Sequence, residues 1–96
     1  MNLVWARLAS ADRNEIREYI AQDNPAAALA LDEQFSEQAN RLVDHPGLGR
    51  PGRFAGTRDL VVQQNFILIY DTAADLVRVL RVLHAARQWP PVRGQG

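Results

Sequence analysis

The chain has 96 residues, no cysteine, and eleven acids balanced by eleven basic residues, all of them arginine. That length supports one domain with one modest core, and the missing cysteine excludes disulfide staples and thiolate chemistry. The neutral total hides a split: residues 1–45 hold four arginines against eight acids, whereas residues 46–96 hold seven arginines against three acids.

Residues 2–7 (NLVWAR) form a short β-prone run, with Leu3 and Trp5 on one side and Val4 on the other. Ser10 is a candidate helix cap, and Leu8, Ile16, Tyr19 and Ile20 give an apolar stripe through residues 9–22. Asn24-Pro25 restarts the chain: Asn caps, and Pro suits the first helical position, where its missing N–H is not needed. Ala28, Leu31, Phe35, Ala39 and Leu42 follow at spacings of three and four, which predicts a second helix over 25–44. The short break between the two helices predicts an antiparallel hairpin.

Residues 45–56 (HPGLGRPGRFAG) read as a loop without phosphate-loop spacing. Strands are predicted over 57–63, 65–71 and 75–84, with turns at Gln64-Asn65 and at residues 72–74. Their short connections predict an antiparallel meander. The order β-α-α-β-β-β implies an α+β domain, the helix hairpin lying on one face of an antiparallel sheet that the opening strand joins. Strand 65–71 is apolar on both faces, so it should be central, one face covered by helices and the other by the tail or a partner. The domain is expected to span residues 1–90, with 91–96 as a flexible tail.

Several function classes drop out. His45 and His84 sit in no ligand cluster, so no metal is expected, and no motif calls for a cofactor. No apolar run reaches the ~18–20 residues that cross a bilayer. The N-terminus lacks a basic start followed by a long apolar core, so no signal peptide is expected, and the expected location is the cytoplasm.

The arginine-rich second half suggests a surface for an anionic partner. Alternation places Arg78 and His84 with Leu76, Leu80 and Val82, and Arg81 on the opposite side with Val77, Val79 and Leu83. A cation within an apolar strand needs water or a partner, so Arg81 either pairs with a helix acid such as Glu15 or Glu18, or joins a surface site. His84 could exchange protons near neutral pH, or hydrogen-bond the backbone and fix the tail. Trp89 could stack on a base or pack the tail onto the sheet. Arg50 and Arg53 flank the Gly/Pro loop, solvated or in contact with phosphate or an acidic peptide.

Together, DNPAAA, HPGLGRPGR, GTRDLVV, FILIYD and VRVLRVLHAARQWP resemble the RelE/ParE superfamily of bacterial toxins over residues 3–90. The resemblance implies a toxin of a type II toxin–antitoxin pair, which stabilises plasmids or slows growth, held in check by a cognate antitoxin whose acidic or amphipathic segment wraps it. RelE-like members cleave ribosome-bound mRNA; ParE-like members poison DNA gyrase. RNA cleavage would draw on Arg58, Tyr70, His84 and Arg87 as its catalytic groups. Against it, the chain has no Lys and no Glu after Glu37, and Ile67 stands where some RNA-cleaving members carry Arg. The R-V-L-H ending is close to the ParE branch, which makes gyrase the favoured target and the ribosome with mRNA the alternative. The expected partner-binding residues are Arg50, Arg53, Arg78, Arg81, Arg87 and Trp89.

Overall fold

A computed structural model describes residues 1–85. Arg87, Trp89 and the expected tail lie outside the described residues. The elements are β1 (Asn2–Trp5), α1 (Arg7–Ala21), α2 (Pro25–Asp44), β2 (Arg50–Pro51), β3 (Arg58–Val62), β4 (Phe66–Ala73) and β5 (Leu76–His84). The strands form one sheet in the order β1-β5-β4-β3-β2. This is the expected α+β arrangement of a helix hairpin on a sheet. Two features of the sheet differ from expectation. β1 lies parallel to β5, so the sheet is mixed rather than wholly antiparallel. The loop also contributes a two-residue strand, β2, paired antiparallel with β3.

The second helix matches its sequence signals. The Asn24 side chain accepts from the Ala27 N–H at 3.0 Å, and Pro25 opens the helix. Leu31, Phe35, Ala39 and Leu42 are buried on one stripe. Burying a side chain such as Phe35 or Leu42 contributes about 1.5–3 kcal/mol. The first helix starts earlier than expected, at Arg7. Its cap is Ala6, which makes no side-chain cap bond, and Ser10 lies inside the first turns. The chain runs straight from β1 into α1, so strand pairing rather than a capping side chain fixes this end.

β4 is central and buried on both faces, as its composition implies. Phe66, Leu68 and Tyr70 join Phe35, Leu42, Val77, Val79 and Val82 in the core beneath the helices. Ile67, Ile69 and Leu83 form a second cluster on the opposite face. The β4–β5 register shifts between Ile69 and Tyr70: Ile69 lies opposite Arg81, and Tyr70 opposite Val79. Leu80 is the extra residue, so the alternation along β5 changes phase there. Val77 and Val79 therefore share the helix-side core with Val82, not with Leu83. Arg78 and Arg81 both stand opposite residues of the outer face, and His84 lies opposite Phe66. A simple two-residue period could not foresee this.

Candidate functional site

Two groups of arginines stand on the sheet, and their surroundings differ. On β5, Arg78 grips Asp71 with both arms of its fork, at 2.8 and 2.6 Å. The side-chain hydrogen bond to Asp71, and then its charge, raise the Arg78 pKa above the ordinary arginine value. Arg81 grips Asp12 in the same way, at 2.8 and 3.0 Å. Its pKa is also raised, first by that hydrogen bond, against an opposing effect of burial. Asp12 is 6% exposed, and it also accepts the backbone N–H of Val82 at 2.9 Å. β1 pairs with β5 only as far as Val79. Beyond that point the Asp12 carboxylate takes the place of a neighbouring strand and holds α1 against the open edge of β5. Arg81 thus pairs with a helix acid: the carboxylate it grips is Asp12, and the charge of Glu15, one of the expected acids, adds a smaller attraction.

The other group sits where β2 and β3 form a ribbon. Here Tyr70, fully buried, donates its hydroxyl to the Pro46 carbonyl at 2.7 Å and accepts the Gly49 N–H at 2.8 Å. Arg58 lies opposite Tyr70 in the sheet and donates to the Gly49 carbonyl at 2.7 Å. Gly49 is required by this close approach: a Cβ there would stand 2.8 Å from the tyrosine hydroxyl. Arg53 contacts Asp59 through one arm, at 3.4 Å. Asp59 is buried, and its Oδ1 meets no hydrogen-bond partner among the described residues. Arg50 is exposed on β2. Phe54, 52% exposed, stands on the turn between the two strands.

Among the described residues, the expected site residues are therefore not gathered in one place. Arg58 and Tyr70 meet at the loop. His84 stacks on the Phe66 ring at 4.6 Å, four residues along β4 from Tyr70, which is about 13 Å of strand. Arg78 and Arg81 face the carboxylates described above. Three residues were not singled out from the sequence: Asp12, Asp71 and Phe54. Asp12 carried a readable signal, since it falls on the same helical stripe as Ala9, Ile16 and Ile20. Asp71 becomes visible only once the β4–β5 register is known. On the helices, Arg13 and Arg17 share Asp32, and Arg13 lies over the Trp5 ring at 4.3 Å. These contacts clamp the hairpin to β1. Among the described residues no group of His, Asp or Glu could hold a metal ion, and no helix is long and apolar enough to cross a membrane.

A helix hairpin on this sheet order defines a small toxin-like α+β domain, and comparison with known proteins gives the family. The family model described as "ParE toxin of type II toxin-antitoxin system, parDE" matches residues 3–89. The protein named "Putative toxin Y4kP" from Sinorhizobium fredii is 37% identical over 89 residues, covering 92% of each chain. "Toxin RelE2" from Caulobacter vibrioides is 38% identical over 85 residues, covering 88% of this chain and 96% of its own. A solved structure titled "Chromosomal ParDE TA system from P. aeruginosa" superposes with a TM-score of 0.77 at 30% identity, covering 88% of this chain and 95% of that one. The chain belongs to the ParE toxin family, within the RelE/ParE superfamily. It is a toxin of the type II toxin–antitoxin class, and that class implies an antitoxin as its partner.

Proposed function

We propose that this toxin acts in the cytoplasm by poisoning DNA gyrase, without hydrolytic chemistry of its own, as part of a plasmid-stabilising or growth-slowing pair. The observation that carries the reading is the state of Tyr70. Its hydroxyl is buried and has both its donor and an acceptor position occupied by the loop backbone. A group held so has no position from which to take or give a proton on an RNA sugar. Arg58 and His84, the other described candidates for RNA cleavage, stand at opposite ends of β4's pairing partners, too far apart to serve one phosphate.

The second reading, a ribosome-dependent mRNA endoribonuclease, draws support from the name of the RelE2 relative. The exposed arginines Arg50 and Arg58 would then hold phosphate. The two readings separate in one pair of assays. Purified toxin should block supercoiling by DNA gyrase and leave ribosome-bound mRNA intact. Normal supercoiling together with cut message would replace the gyrase reading by the nuclease one.

A further inference from the structure

The hydroxyl of Ser10 has no structural task. Ser10 lies inside the first turns of α1, does not cap the helix, and makes no side-chain hydrogen bond among the described residues. It is exposed. It lines a cleft of about 150 Å³ together with Arg13, Asn14 and Arg17 of its own helix and Asp32 of α2. Residues 10, 13, 14 and 17 are spaced as neighbours on one helix face, so their side chains meet. Arg7, exposed and one turn before Ser10, extends that face. Three of the four arginines of residues 1–45 therefore line up with one serine.

The cleft holds more positive charge than its own acid matches. Arg13 donates its Nε–H to the Asp32 carboxylate at 2.9 Å, and a second nitrogen to the Asp32 carbonyl and the Ser36 hydroxyl at 3.2 and 3.0 Å. Arg17 reaches the other oxygen of the same carboxylate only at 3.4 Å, and its side chain is 39% exposed. Two guanidinium groups thus face one carboxylate, and the second is loosely held. The nearest acids of α1 are drawn to β5: Asp12 is gripped by Arg81, whose charge also attracts Glu15. Guanidinium forks of about five N–H donors each suit the three oxygens of a phosphoryl group. The cleft is several times the roughly 30 Å³ that a water molecule takes in the liquid, so such a group fits.

We propose that Ser10 is a phosphorylation site, with the phosphoryl group seated in this cleft against Arg13 and Arg17. The donor is a nucleoside triphosphate held by a protein kinase. Ser10 Oγ forms a bond to the terminal phosphorus, and the bond from that phosphorus to the bridging oxygen breaks. The nucleoside diphosphate leaves with the bonding pair, and the hydroxyl proton passes to a base of the kinase. A phosphate tethered to Ser10 meets the guanidinium groups without the loss of freedom that a free anion suffers on binding. Its negative charge cancels the basic face of α1. The site is independent of the toxin's target.

The test uses the full chain with phosphate installed on Ser10 during synthesis. Phosphorus NMR should place the second ionisation of that phosphate at lower pH in the folded chain than in the same chain unfolded in urea. The difference should be about half a pH unit or more, because nearby guanidinium groups favour the dianion. Arg17→Gln removes the exposed, loosely held arginine and should bring the two midpoints together without unfolding the chain. Protein recovered from growing and from starved cells of its own host should carry phosphate on Ser10, read by mass spectrometry. Equal midpoints in the folded and unfolded chain, a difference untouched by Arg17→Gln, phosphate on Ser36 in place of Ser10, or no phosphate in either culture would each overturn the proposal. Inorganic phosphate is the other source of the same chemistry. If it moved the amide signals of residues 10–17 of the unmodified chain while cells left Ser10 bare, a free-anion site would replace the modification.

Discussion

β5 and the β2–β3 ribbon carry the same cation in opposite circumstances. On β5 each guanidinium meets a carboxylate at two points, Arg78 with Asp71 and Arg81 with Asp12. On the ribbon the contacts are single and the side chains face water, with Arg53 45% exposed at its side chain. The described arginines of the second half, Arg50, Arg53, Arg58, Arg78 and Arg81, therefore do not make one continuous surface. A charge counted along a chain becomes a binding surface only where folding leaves it unmatched, and here folding matches β5 and leaves the ribbon.

The largest effect should come from breaking the matched side. Asp12→Ala removes the acceptor of the Val82 N–H and leaves Arg81 without its fork partner. Loss of the buried acceptor of the Val82 N–H together with the partly buried ion pair should cost about 2–3 kcal/mol, read as a lower denaturant midpoint with an unchanged slope. Asp12→Asn keeps an oxygen for the Val82 N–H and should lose less. Equal stability of Asp12→Ala and wild type would mean that the open edge of β5 needs no carboxylate. The raised Arg81 pKa sets the sign with pH. A cation favoured in the folded state contributes fully below its unfolded pKa and is lost only as pH climbs through the higher folded value. The arginine itself therefore brings no loss of stability near neutrality.

The next effect is at the ribbon's root. Tyr70→Phe deletes the hydroxyl that joins the Pro46 carbonyl to the Gly49 N–H. A buried N–H left without a partner costs about 1–3 kcal/mol. Melting temperature should fall, and amide exchange over residues 46–49 should quicken. Gyrase inhibition by the folded variant should persist, because the proposed function assigns the hydroxyl no chemical step. A variant as stable as wild type would show that the loop is held by Arg58 and packing alone.

Much of this was legible in the sequence, and the failures share a cause. Asn24-Pro25 and the stripe from Ala28 to Leu42 announced α2, because capping and helical periodicity are local. Phe66–Tyr70, apolar at every position, announced a strand covered on both faces. The start of α1 was misread because Ala6 carries no capping side chain. The faces of β5 were misread because one extra residue at Leu80 reverses the alternation, and only pairing with β4 reveals it. The parallel partnership of β1 with β5 was equally hidden, being a contact between chain positions over seventy residues apart. The exposure of Arg50 and Arg53 was recognisable from their Gly/Pro loop, and Arg81 was recognisable as a cation needing an acid. Which acid it takes depends on where β1 ends, and no local pattern encodes that.

The smallest effect sharpens the comparison most. Arg78 and Arg81 make the same fork to an aspartate, yet Arg78 is 45% exposed at its side chain, and Asp71 lies nearer to water than the buried Asp12 does. An exposed pair gains little, because water and salt compete for both charges and two long side chains lose freedom. Arg78→Gln should therefore leave the denaturant midpoint unchanged within error, at low and high salt alike, although its hydrogen bonds are as short as those of Arg81. If Arg78→Gln destabilised the fold as much as Asp12→Ala, bond geometry rather than burial would govern these pairs. The contrast between β5 and the ribbon would then need a cause other than solvent.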